Sequence, residues 1–136
     1  MVTHLRIALL AFSLTLAFLE EIHAMANDAK TVTVTEKDSG SKVKLAKGDT
    51  LVVRLDVQGG TGYSWKIAKI DDAFLKSQGK PEVEKPDKPK PGGKATYIYR
   101  FTVEKAGASE LEMHYARPFE KDKAPAKTFK LSVESP

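Results

Sequence analysis

Apolar side chains recur at every second position along Thr50–Val57, with Leu51, Val53, Leu55 and Val57 on one face and Val52, Arg54 and Asp56 on the other. Such a period describes a strand that buries one face and wets the other. The same alternation returns in Tyr63, Trp65 and Ile67, in Leu111, Met113 and Tyr115, and in Phe129, Leu131 and Val133. Thr31–Glu36 and Ser41–Leu45 read as shorter strands, and a single helical turn is expected at Asp71–Leu75. With Gly48, Gly79, Pro81 and Gly107 as punctuation, this spacing predicts an all-β antiparallel sandwich of about seven to eight short strands. The one biased segment, Lys80–Lys94, mixes lysine and proline and reads as a solvated, proline-stiffened loop around a short strand at Glu82–Glu84.

The N-terminus stands outside this pattern. Arg6, an apolar stretch from Ile7 to Leu19, and Ala24-Met25-Ala26 make residues 1–26 resemble a cleavable secretory signal peptide, with cleavage after Ala24 as the near alternative. The stretch is shorter than the roughly 20 apolar residues that span a bilayer, so no permanent membrane anchor is expected. Export to the periplasm or beyond is the implied destination. Residues 27–136 then form one small domain, expected to be monomeric. Losing Arg6, Glu20 and Glu21 moves the formal charge from +4 to +5, with both signs interleaved along the chain. The chain has no cysteine, so stability must come from packing and not from disulfides.

Cysteine chemistry is thereby excluded, and His114 is the single histidine of the domain. By alternation it shares a strand face with Glu110 and Glu112, opposite Leu111, Met113 and Tyr115. That is the arrangement of a solvent-facing polar stripe; a hydrolase built on these three residues is the remote alternative. No catalytic residue, metal site or cofactor is expected. The lysines are diluted by acidic residues and no nucleic-acid signature is present. Gly59–Gly62 is followed by neither a helix nor a Lys-Ser/Thr pair, so no phosphate cradle is expected.

Three short loops remain: Gly59-Gly60-Thr61-Gly62-Tyr63, Pro91-Gly92-Gly93 and Arg117-Pro118-Phe119. Two strand-like runs separate the first loop from the second, and two more separate the second from the third. In an antiparallel sandwich every second connection returns to the same end, so all three loops are predicted to share one tip. Glycines suit a loop that brings its backbone close to a partner, and an exposed aromatic beside an arginine is a composition typical of interface hot spots.

In order and spacing these loops resemble the three-motif signature of the chagasin family, inhibitors of papain-like cysteine peptidases. That pattern has an Asn-Pro-Thr-Thr-Gly-Tyr loop, a Gly-x-Gly-Gly loop and an Arg-Pro-Trp loop on an immunoglobulin-like sandwich. The resemblance implies a non-enzymatic, reversible inhibitor. Thr61, Gly62 and Tyr63 match the end of the first motif, Gly92 and Gly93 the end of the second, and Arg117 and Pro118 the start of the third. By that analogy Gly59–Tyr63 lies across the peptidase's catalytic pair, and Pro91, Gly92, Gly93, Arg117, Pro118 and Phe119 grip the cleft on either side.

The chain departs from the pattern at Gln58-Gly59-Gly60, at Lys90 and at Phe119. Glycines in place of proline predict a less preorganised loop, and phenylalanine offers a smaller ring than tryptophan with no N–H. A weaker or differently targeted inhibitor is the expectation. The competing reading is an immunoglobulin-like adhesion or accessory module using the same tip.

Overall fold

A computed structural model describes residues 29–136; the segment read as a signal peptide, residues 1–26, lies outside the described residues. Nine strands follow in order: β1 (Thr31–Thr35), β2 (Ser41–Lys44), β3 (Thr50–Gln58), β4 (Ser64–Lys69), β5 (Leu75–Ser77), β6 (Glu82–Glu84), β7 (Lys94–Val103), β8 (Gly107–Ala116) and β9 (Lys127–Ser135). One sheet has the order β1-β3-β7-β5, with β6 also on β7; the other has the order β2-β9-β8-β4. The core between them is built from the alternating residues of the sequence pattern: Leu51, Val53, Leu55, Leu111, Met113, Phe129, Leu131 and Val133 are all buried.

Pairing is antiparallel except at the N-terminal edge, where β1 runs parallel to β3 and β2 parallel to β9. A short 3-10 turn, Glu36–Asp38, carries the chain from one sheet to the other. Asp38 Oδ2 accepts the Thr35 N–H at 2.8 Å, fixing the start of that crossover. β5 is absent from the sequence reading, because the turn at Asp71–Leu75 conceals its first residue. The turn itself is present, with the Leu75 N–H donating to the Asp71 carbonyl at 2.8 Å.

β5 and β6 lie along the same neighbour in the same direction, pairing with the far and near halves of β7. They act as one edge strand interrupted around Gly79 and Pro81, so the parity of the connections survives the extra segment. The β3–β4, β6–β7 and β8–β9 connections all meet at one end. Thr31, paired with Thr50, and Ser135, paired with Gly107, lie at the other.

Two side chains depart from the places that the sequence alternation gives them. Ile67, expected in the core, is 36% exposed, because β4 is an edge strand whose register shifts between Ile67 and Lys69. Val52, expected outside, is buried; its strand is central, with Thr33 and Arg100 as flanking register partners.

At the base, Asp49 is buried with its carboxylate accepting the Lys30 N–H at 2.9 Å and the Ala46 N–H at 2.8 Å. It ties the entry into β1 to the turn before β3. Those two backbone donors, Lys30 first, hold the Asp49 carboxyl below its ordinary 3.8. A depressed folded-state value stabilises the fold above the unfolded-state value of about 4 and is lost as pH falls through the folded one. Asp49→Ala is therefore expected to lower the urea midpoint at pH 7, and the gap to the parent protein to narrow below about pH 4. Paired denaturation curves across that range check it.

Candidate functional site

The site begins in the strands beneath it. Trp65 and Tyr115 are register partners on β4 and β8, and their rings pack with centroids 5.1 Å apart. Tyr63 extends the stack upward, 5.2 Å from Tyr115, and the Arg117 guanidinium caps it 4.4 Å from the Tyr63 ring centroid. Two hydrogen bonds stitch this column to the opposite sheet: Trp65 Nε1 donates to the Asp56 carbonyl at 2.9 Å, and Tyr115 Oη accepts the Gln58 N–H at 3.0 Å. Both bonds meet β3 at its upper end, where the first loop departs.

That loop is held from within and from both sides. Inside it, the Thr61 hydroxyl donates to the Gln58 carbonyl at 2.9 Å and accepts the Tyr63 N–H at 3.3 Å. The hydroxyl, whose residue type suggests an outward hydrogen bond, instead closes the loop on itself. Gly60 and Gly62 take positive φ, 77° and 80°, which the closure requires.

On one side, the Gly59 N–H donates to the Gly93 carbonyl at 3.0 Å, and the Gln58 side-chain amide donates to the Gly92 carbonyl. The second loop is a tight turn with Pro91 at its second position and Gly92, φ 74°, at its third, closed by the Gly93 N–H on the Lys90 carbonyl at 2.8 Å. This is the residue pattern of a type II turn. A Cβ at Gly59 would lie 3.0 Å from the Gly93 carbonyl oxygen, so glycine at 59 is what lets the two loops touch.

On the other side, Arg117 Nε donates to the Thr61 carbonyl at 2.9 Å, while the same guanidinium pairs with Glu120 at 3.2 Å. Glu120 N–H donates to the Arg117 carbonyl at 3.0 Å, closing a turn with Pro118 inside it. Phe119 stands outside, 71% exposed, its ring edge 3.2 Å from where a Gly62 Cβ would sit. The eleven residues singled out in the sequence thus form one continuous surface, with Gly59–Tyr63 in the centre. Arg117 is half-buried and serves chiefly to position the centre; Phe119 is the projecting group.

Sequence reasoning missed three contributors. Gln58 is visible in the sequence only as a departure from a motif and Tyr115 only as an alternating core residue, while nothing there singles out Glu120. The signal for Tyr115 was its register opposite Trp65. The Glu110, Glu112 and His114 stripe is tied up in local pairs: Glu112 meets Lys130 on β9 and His114 on its own strand at 3.2 Å each, and Glu110 meets Lys69 on β4 at 3.8 Å. Lys130, and after it His114, hold the Glu112 carboxyl below the usual carboxylate range.

Residues 44–133 match the family model described as Chagasin family peptidase inhibitor I42. The chain belongs to the chagasin family. Membership makes it an inhibitor and not an enzyme, and leaves the carboxylate stripe as sheet surface. Amoebiasin-2 of Entamoeba histolytica is 28% identical over 104 residues, covering 74% of this chain and 81% of the relative. Among solved chagasin-like folds, the cysteine protease inhibitor EhICP2 from Entamoeba histolytica superposes with a TM-score of 0.73 at 21% identity. The likeness covers 80% of this chain and 98% of that one. The solution structure of Amebosin gives 0.58 at 24% identity, over 79% and 98%. PbICP-C, solved in complex with falcipain-2, gives 0.51 at 22% identity, over 82% and 93%.

Arg117→Lys keeps the charge but removes the Nε donor to Thr61. The backbone amides of Gly62 and Tyr63 are expected to exchange faster with solvent deuterium, while global stability changes by no more than about 1 kcal/mol. Site-resolved hydrogen exchange beside a urea titration separates the two effects.

Proposed function

We propose that residues 27–136 act as an exported, reversible inhibitor of papain-like cysteine peptidases, blocking the cleft with three loops. Gly59–Tyr63 enters across the catalytic pair, Pro91–Gly93 lies along one rim, and Arg117–Phe119 along the other. The observation that carries this reading is that the central loop is already braced by both neighbours before any partner arrives. Ordering cost on binding is therefore small, which favours tight association from a modest surface. Export rests on the signal-like composition of residues 1–26.

The bracing also supports occlusion without turnover. The Thr61 carbonyl is engaged by Arg117, and the loop's ends are anchored in β3 and β4. Even if a bond were attacked, the anchored ends would keep the new termini in place and favour resealing. Glycines at 59, 60 and 62 leave the crest without side chains that would hold it off the cleft floor. Phe119 supplies the large exposed apolar group that a rim pocket can enclose. That PbICP-C was solved with falcipain-2, and that EhICP2 is described as a cysteine protease inhibitor, support the choice of target class.

Titration of active-site-quantified papain with the domain, following a fluorogenic peptide, is expected to give dose-dependent, reversible inhibition with the inhibitor recovered uncleaved. Phe119→Ala is expected to weaken binding about 10- to 100-fold, since truncated hot-spot residues cost about 2 kcal/mol or more, with its melting temperature unchanged. Absence of inhibition by a folded domain, with papain and with a cathepsin-like enzyme, would overturn the reading.

A further inference from the structure

The fold gathers charge that is interleaved along the sequence. Lys85, Lys88, Lys90 and Lys94 lie in or beside the β6–β7 connection, and Arg117, Lys121, Lys123 and Lys127 in or beside the β8–β9 connection. Against Glu84, Asp87, Glu120, Asp122 and Glu36, which pairs with Lys127, these eight cations leave +3 at the tip, and the other described residues, thirteen cations and ten carboxylates, carry +3 between them. Half of the net charge of the described residues thus sits at the end that carries the loops.

Its layout within the tip is ordered as well. The central segment Gln58–Tyr63 contains no charged residue, and the two cationic connections flank it on opposite sides. One is fixed to it through Gly93 and Gly59, the other through Arg117 and Thr61. Glu120 is shared by Arg117 and Lys123, and Lys127 pairs with Glu36. Lys85, Lys88, Lys90, Lys94 and Lys121 enter no ion pair among the described residues. Pro86, Pro89 and Pro91 separate the lysines of the first arm and restrict the backbone of that exposed stretch, which bends at Asp87–Lys88.

An uncharged crest between two cationic arms fits a cleft whose floor excludes water and whose rims are acidic. Charge on the crest would be desolvated at a cost, whereas charge on the arms stays wet and acts at a distance. Resting on the inhibitor reading above, we infer that the two arms select papain-like peptidases with net negative cleft rims, by accelerating their encounter with the loops. Rim charges of this kind govern association far more than dissociation, and their reach is about 8 Å at physiological salt.

The test measures association and dissociation rates with two papain-like peptidases, one with an acidic cleft rim and one with a basic rim. With the acidic-rimmed enzyme, association is expected to slow about tenfold between about 0.05 and about 0.5 M NaCl. Lys85→Glu, Lys88→Glu and Lys90→Glu together are expected to slow it about tenfold or more at low salt, and to speed association with the basic-rimmed enzyme. Lys121→Glu with Lys123→Glu, on the other arm, should act in the same direction, and thermal melts verify that both variants fold. Inhibition that persists with association insensitive to salt and to both reversals would overturn the inference while leaving the inhibitor reading intact. Effects confined to dissociation would overturn it too, marking the arms as contacts and not as steering charges. A parent protein that inhibits neither enzyme would overturn the inhibitor reading, and this inference with it.

Discussion

Tyr115 is the joint on which the tip depends. Its ring lies between Tyr63 and Trp65, and its hydroxyl accepts the backbone N–H of Gln58 from the opposing sheet. Sandwich sheets are held mainly by apolar contact, which has no direction and tolerates sliding. A hydrogen bond from one sheet to the last residue of a strand in the other fixes the relative height of the two, and with it the launch point of the central loop. Trp65 repeats the device two residues lower on β3, through the Asp56 carbonyl. The loops share one end because of topology; they share one surface because of this column.

Much of the fold was legible because it rests on period-two patterning, the strongest signal a half-buried strand gives. The runs at Thr50–Val57, Leu111–Tyr115 and Phe129–Val133 all became core strands. What escaped was decided between elements and not within them. β5 spans three residues behind a turn, too short for any period, and exists because β7 offers it an edge. The exposure of Ile67 and the burial of Val52 depend on edge and central position, which a single strand does not record. The parallel pairing of β1 and β2 is likewise a fact about neighbours.

The site divides in the same way. Its members were legible as unusual loop residues, but their division of labour was not. Thr61 carries a hydroxyl suited to an external partner and spends it on Gln58 and Tyr63; Arg117 carries a charge suited to a rim and turns it inward to Thr61 and Glu120. The glycines at 59 and 60, read as a loss of stiffness, have a second consequence that only proximity shows. At position 59 the missing Cβ admits the Gly93 carbonyl, so rigidity that proline would have given locally is supplied by a neighbouring loop.

The antiparallel alternation that brings three connections together at the tip also sends Thr31 and Ser135 to the opposite pole. Both ends of the domain therefore leave it facing away from the loops, a sandwich's length from them. A fusion partner, a surface tether or a biosensor linker joined at either terminus would hold the molecule like a handle, with its working face pointing outward and unobstructed. Orientation on a support is built into the strand order.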